Sequence, residues 1–140
     1  MNKAAPWLGN YGNVPFNLDY PTGSMCDSVL NTAAELPNET ALYFMGKRTD
    51  YKTLAFNIRQ TARAFTAVGV KRGDSVVLCL PNLPQTVYCL YALNMLGAVA
   101  CMIHPLSAEQ EIVSMVAEAS CTYAVTLDQF ANKFNAVKGL

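Results

Sequence analysis

The apolar positions of the chain change their spacing several times, and each change marks a predicted element. Beyond residue 23 they fall three and four apart. Val29, Leu30, Ala33 and Leu36 make one stripe, with Ser24 as N-cap, Asp27 at the third helical position and Pro37 as the stop. "ALYFMGKRT" then predicts two short strands, with Gly46-Lys47 as a type II′ loop because its glycine stands first. A second helix follows, capped by Asp50, with Leu54, Ile58, Ala62, Phe65 and Val68 on its inner face and Gly69 as its left-handed terminator.

From there the pattern loses its polar positions. "SVVLCL", Ser75 to Leu80, is an apolar run of the kind buried on both faces of a parallel sheet. "PNLP" turns the chain, Pro84 suits a first helical turn, and "PQTVYCLYALNML" has so few polar residues that its helix is expected inside the molecule. Gly97 ends that helix, and "AVACMI" predicts the next buried strand. Ser107 and Gln110 predict a capping box opening a helix with Ile112, Met115, Val116 and Ala119 inward. "TYAVTL" is a third strand, and Asp128 is the expected cap of a last helix carrying Phe130, Phe134 and Val137.

Strand and helix alternate three times, which predicts an α/β fold with a partial parallel-sheet βαβαβα layer and right-handed crossovers. An arm over residues 1–23, a helix and a β-hairpin precede it. The arm shows no periodicity and is expected to be held by Trp7, Tyr11, Phe16 and Tyr20. Three parallel strands leave two outer edges that lack both a closing strand and edge charges. Residues 24–140 are therefore expected to form an incomplete domain of a larger protein.

Composition points the same way. Charged residues are 14% of the 140 and hydrophobic residues 52%, against about 25% charged in an ordinary soluble domain. Such a chain either packs against something outside it or carries an unusually apolar surface. Ten basic and ten acidic residues cancel without clustering, so the electrostatic footprint of a nucleic-acid binder is missing. No apolar run reaches the roughly 20 residues of a membrane span, and the first fifteen residues lack the apolar core of a secretory signal. The expected location is cytoplasmic, with no transmembrane segment, although peripheral membrane contact stays open. Cys26, Cys79, Cys89, Cys101 and Cys121 are odd in number, contain no C-x-x-C and fall mostly in apolar segments. They are expected to be reduced core residues rather than a disulfide framework or a zinc site.

Candidate chemistry is sparse. No window matches G-x-x-x-x-G-K-[ST] or G-x-G-x-x-G, so a phosphate cradle and a self-sufficient dinucleotide-binding domain are both disfavoured. His104, the only histidine, and Pro81-Asn82 follow predicted strands where ligands approach α/β sheets. The simpler reading of each is a loop or turn residue. Tyr88 and Tyr91 sit at helical spacing beside Val87 and Leu90 and read as core. Glu109 and Glu111 lie in a first helical turn, where negative charge favours the dipole, and neither they nor Glu118 are assigned catalytic work. Arg72-Gly73-Asp74 spells an adhesion tripeptide, yet four residues between Gly69 and Asp74 leave space only for a helix-to-strand turn. No catalytic, cofactor-binding or metal-binding residue is assigned.

Four motifs in order carry a family resemblance: Gly69-Val70 with Gly73-Asp74 and Val76, Leu80 to Pro84, Leu96 to Val99, and His104-Pro105 with Glu109. From about residue 40 to residue 127 the chain resembles the N-terminal part of the adenylate-forming (AMP-binding) enzymes, with His104 standing where the family usually has asparagine. The upstream "WLGNYGNVPFNLDYPTG" resembles the entrance of long-chain fatty-acid–CoA ligases. The resemblance implies activation of a carboxylic acid by ATP to an acyl-adenylate, followed by transfer to coenzyme A. It implies ATP, Mg²⁺ and coenzyme A for the full-length enzyme, with a fatty acid as substrate and the rest of the parent enzyme as partner. The family's phosphate loop, ribose-binding acid and mobile lysine have no counterpart here, so the segment alone is expected to bind no cofactor and to be inactive. It also implies that the hairpin belongs to a different sheet from the later strands. Two other readings are a small interaction module using its apolar surface, and a flavodoxin-like binder of FMN or NAD.

Overall fold

The computed structural model describes residues 5–15 and 17–137. Phe16, named above as part of the arm, lies outside them. The regular elements are α1 (Met25–Glu35), β1 (Thr40–Phe44), β2 (Lys47–Asp50), α2 (Tyr51–Ala67), β3 (Ser75–Cys79), α3 (Pro84–Leu96), β4 (Val99–Met102), α4 (Glu109–Glu118) and β5 (Tyr123–Thr126). Short 3₁₀ segments cover Pro6–Asn10 and Asp128–Val137. The hairpin β1-β2 is a sheet of its own, and the other sheet has the order β4-β3-β5 with both pairings parallel.

Alternation along β3 organises the core. Val76, Leu78 and Leu80 face one side, where Ala62 and Phe65 of α2 and Cys89, Ala92 and Leu93 of α3 close over them. Val77 and Cys79 face the other side, where Ile112 and Val116 of α4 and Phe134 pack. A third cluster, Cys26, Leu54 and Ile58, joins α1 to α2, with Leu42 of the hairpin and Tyr88 and Tyr91 of α3 against it. The expected interior helix is there: Gln85 is the only exposed residue of α3, which lies between β3 on one side and α1 and α2 on the other.

The predicted caps of the first two helices are in place. Asp27 N–H donates to Ser24 Oγ and Ser24 N–H to Asp27 Oδ2, a complete capping box. Thr53 N–H donates to Asp50 Oδ1 at 2.7 Å, and hydrogen bonding from the Thr53 side chain and then from this N–H holds the Asp50 carboxyl below its ordinary value. Gly69 and Gly97 both take positive φ, 99° and 70°, as terminators of α2 and α3.

Five expectations need correction. The hairpin loop is Met45-Gly46, not Gly46-Lys47. Phe44 pairs with Lys47, and both loop residues have positive φ (47° and 81°), the type I′ pattern whose twist matches the strands. β4 is an edge strand rather than a buried one, with Val99 51% and Met102 54% exposed, because β3 takes the centre. α4 starts one residue late. Its N-cap is Ala108, which has no side-chain acceptor, so only the reciprocal half of a capping box forms, with Ala108 N–H donating to Glu111 Oε2. The last helix is 3₁₀ throughout, and Asp128 is its first residue rather than its cap. In the arm, Trp7 is 60% and Tyr20 76% exposed, so these aromatics do not tie it down.

Three of the five cysteines are core residues as expected: Cys26, Cys79 and Cys89 are buried, which pushes their thiols up and keeps them protonated, whereas Cys101 and Cys121 are only half-buried.

Candidate functional site: a crevice at the sheet's switch point

The chain leaves β3 toward α3 on one face of the sheet and leaves β4 toward α4 on the other. Neighbouring parallel strands whose exits part in this way leave a gap at their carboxyl ends, the usual place for a ligand in an open α/β sheet. Here the gap is a crevice of about 550 Å³. Leu80, Pro81 and Asn82 form one wall, Met102 to Leu106 the other, and Gln129 and Phe130 of the final 3₁₀ segment close one side.

Local bonds fix each wall. Thr86, nearly buried on α3, donates its hydroxyl to Pro81 O at 2.7 Å, which holds the "PNLP" turn against the helix it starts. On the second wall, His104 is exposed, its Nδ1 accepts from Leu106 N–H at 3.2 Å, and its carbonyl accepts from Ser107 N–H. Neutral His104 therefore carries its proton on Nε2. The ring acts first as the fastener of its own turn, which agrees with the simpler reading of this residue. Pro81 and Asn82 also behave as turn formers, while lining the crevice beside His104.

Lys133 is the residue that sequence reasoning missed. Its ammonium donates to Pro105 O at 2.9 Å and to Ser107 O at 2.8 Å, and it stands 5.8 Å from the centre of the Phe130 ring. Twenty-six or more residues separate donor and acceptors, and a single lysine in the last predicted helix gives no hint of carbonyl partners. The expected consequence is mechanical. Lys133→Met keeps the stem over Phe130 but removes both bonds, and amide hydrogen exchange at residues 104–108 is expected to quicken at least about tenfold, since two charge-assisted bonds are worth well over 1.4 kcal/mol.

The crevice lining contains no Lys, Arg, Asp or Glu. Among the described residues no three His, Cys, Asp or Glu side chains gather to hold a metal ion, and no helix is long and apolar enough to cross a membrane. Glu109 and Glu111 lie in the first turn of α4 and Glu118 in its last residue, away from the crevice wall. A triphosphate with Mg²⁺ needs cationic or N–H donors converging on it. The lining does not fit that group, whereas it suits an apolar chain.

The motif turns are joined to one another. Gly73 N–H donates to Gly97 O at 2.9 Å, Val99 N–H donates to Asp74 O, and Asp74 Oδ2 accepts from Lys71 N–H. The Arg72 stem lies on Gly97, where a Cβ would meet its Cγ at 3.1 Å. Arg-Gly-Asp is thus a fastened turn between α2 and β3, not a projecting ligand.

Comparison with known proteins accounts for this arrangement. The family model described as "AMP-binding enzyme" matches residues 29–139. Over its whole length the chain is 30% identical to the long-chain-fatty-acid–CoA ligase of Bacillus subtilis, of which it spans 25%. Over 76% of its length it is 32% identical to the acetyl-coenzyme A synthetase of Cryptosporidium parvum, of which it covers 16%. In fold it is similar to a fatty acyl CoA synthetase of Mycobacterium tuberculosis, with TM-score 0.78, 22% identity, and coverage of 84% of this chain and 24% of the other. With four motifs in order, the parallel β4-β3-β5 layer and a family model matching most of its length, this chain belongs to the AMP-binding, adenylate-forming enzymes as part of their N-terminal domain.

Proposed function

We propose that the chain is the leading segment of a cytosolic fatty-acid–CoA ligase, in which it provides scaffold and one apolar wall of the acyl path. The observation that carries this reading is the switch-point crevice, whose walls are apolar apart from Asn82, His104 and Gln129. An alkyl chain gains about 0.8 kcal/mol per buried CH₂ in such surroundings, while acetate has almost nothing to bury. The similarity to the Bacillus subtilis ligase also runs through the N-terminal arm, whereas the match to the acetyl-coenzyme A synthetase covers only part of the chain. Five unpaired cysteines suit a reducing compartment. ATP, Mg²⁺ and coenzyme A belong to parts of the enzyme outside these residues, and no step of the phosphate chemistry is assigned to them.

A segment swap tests the reading. Residues 1–140 replace the aligned segment of the Bacillus subtilis ligase, and pyrophosphate release and acyl-CoA formation are measured with palmitate and with acetate. The graft is expected to prefer palmitate by roughly tenfold or more, and the isolated chain to release no pyrophosphate. A folded graft that prefers acetate would overturn the fatty-acyl assignment. Turnover by the isolated chain would overturn the assignment of catalysis to other segments.

A further inference from the structure

We propose that Cys101 and Cys121 form a dithiol modification site, which a hydroperoxide converts into an intramolecular disulfide on the α4 face of the sheet. The register carries the first part of the argument. Cys101 pairs with Val77, and in-register neighbours in a parallel sheet point to the same face. That face is the one covered by α4, where Val77, Ile112 and Val116 form the buried cluster. Cys121, just past the C-terminal end of α4, packs against the same cluster. It follows the left-handed Ser120 (φ 50°), its N–H donates to Val116 O at 3.0 Å, and both cysteines pack against the cluster. Both thiols stand at the end of α4: Cys121 Sγ lies 3.9 Å from Ala119 O, and Ala119 lines one surface pocket together with Cys101.

Exposure separates these two cysteines from the other three. Cys26, Cys79 and Cys89 are 1%, 0% and 8% exposed, while Cys101 and Cys121 are half-buried and within reach of a small oxidant. Cys89 faces the opposite side of the sheet, and Cys26 belongs to the third cluster. The fold therefore offers one accessible pair.

The reaction balances with one peroxide. Burial, and then the neighbouring Cys101 thiol, push the Cys121 thiol up to about 12. One thiol of the pair, once ionised, attacks a peroxide oxygen and becomes a sulfenic acid as hydroxide leaves. The sulfur of the other then attacks the sulfenic sulfur, and its proton goes with the departing hydroxide as water. Two thiols lose two electrons and two protons, and hydrogen peroxide becomes two waters. Because thiolate is the reacting form, the rate is expected to rise with pH.

The test uses the full chain and hydrogen peroxide under native conditions, followed by alkylation and digestion with a glutamyl endopeptidase. Cleavage after Glu39, Glu109, Glu111 and Glu118 leaves Cys101 in residues 40–109 and Cys121 in residues 119–140. Mass spectrometry is expected to find these two peptides joined, with the loss of two hydrogens. The link is expected to vanish in Cys101→Ser, to survive in Cys89→Ser, and to give way to mixed pairings when the same oxidation is run in guanidinium. Absence of the link in the native wild-type chain, its persistence in Cys101→Ser, an equal yield from the unfolded chain, or links only between molecules would each overturn the proposal.

Discussion

Leu78→Ala is expected to lower the free energy of unfolding by about 2–5 kcal/mol, the range for truncating a fully buried leucine whose cavity does not collapse. Leu78 has no exposed surface and sits in the central strand, with Met102 and Val125 beside it in register on the two neighbouring strands. Its side chain belongs to the cluster that α2 and α3 close. Backbone on both sides of β3 is held by parallel pairing, so neither neighbour can move in to fill the space. Domains of this kind are stable by about 5–15 kcal/mol, and the loss is a large share of that. Urea unfolding measures it as a lower midpoint at unchanged slope. Leu78→Met keeps the volume and is expected to cost less than about 1.5 kcal/mol, and Leu106→Ala, at a position 74% exposed, is expected to change little.

Gly97→Val is the second large effect, and it has two separable causes. Gly97 adopts φ 70° and ψ 23°, a left-handed conformation that costs an L-residue about 1–2 kcal/mol. A Cβ would also come within 3.1 Å of Arg72 Cγ and 3.6 Å of its Cδ, and forced overpacking of that sort costs about 1–3 kcal/mol. The total is expected to be roughly 2–5 kcal/mol. Adding Arg72→Ala removes the crowding but leaves the backbone strain, so the double variant is expected to recover part of the loss and not all of it. A four-protein cycle by urea unfolding gives the coupling directly. Full recovery would place the whole cost in the contact with Arg72, and no recovery would place it in the backbone alone. The result bears on why the two turns occur together: Gly73 N–H is bonded to Gly97 O, so a distorted Gly97 strains the helix-to-strand turn before β3.

How much of this was legible in the sequence depends on the range of the interaction that decides each feature. Ser24 with Asp27, Asp50 with Thr53, and the left-handed Gly69 and Gly97 are settled within four residues, and each stands where the pattern predicts it. The even apolarity of α3 predicted that it lies inside the molecule, because a helix without a polar face has no side to turn to water. The α/β class followed from alternating periods alone. The hairpin failed by one residue because the register of β1 on β2, with its irregularity near Thr40, sets which two residues form the loop.

The crevice shows the same division. Pro81, Asn82 and His104 could be placed at strand ends from the sequence, since strand ends are local. That they face one another required the strand order β4-β3-β5 and the departure of α3 and α4 to opposite faces, which no local pattern encodes. Lys133 on the carbonyls of Pro105 and Ser107, and Cys121 beside Cys101, bring together residues twenty or more positions apart. The sequence by itself determined the order of the elements, the caps of the first two helices and the family motifs, because these depend on short-range sterics, capping bonds and burial periodicity. Only the tertiary structure decided which strand became the edge, which side chains line the crevice and which thiols meet, because those follow from how the sheet orders its strands and where each helix crosses it.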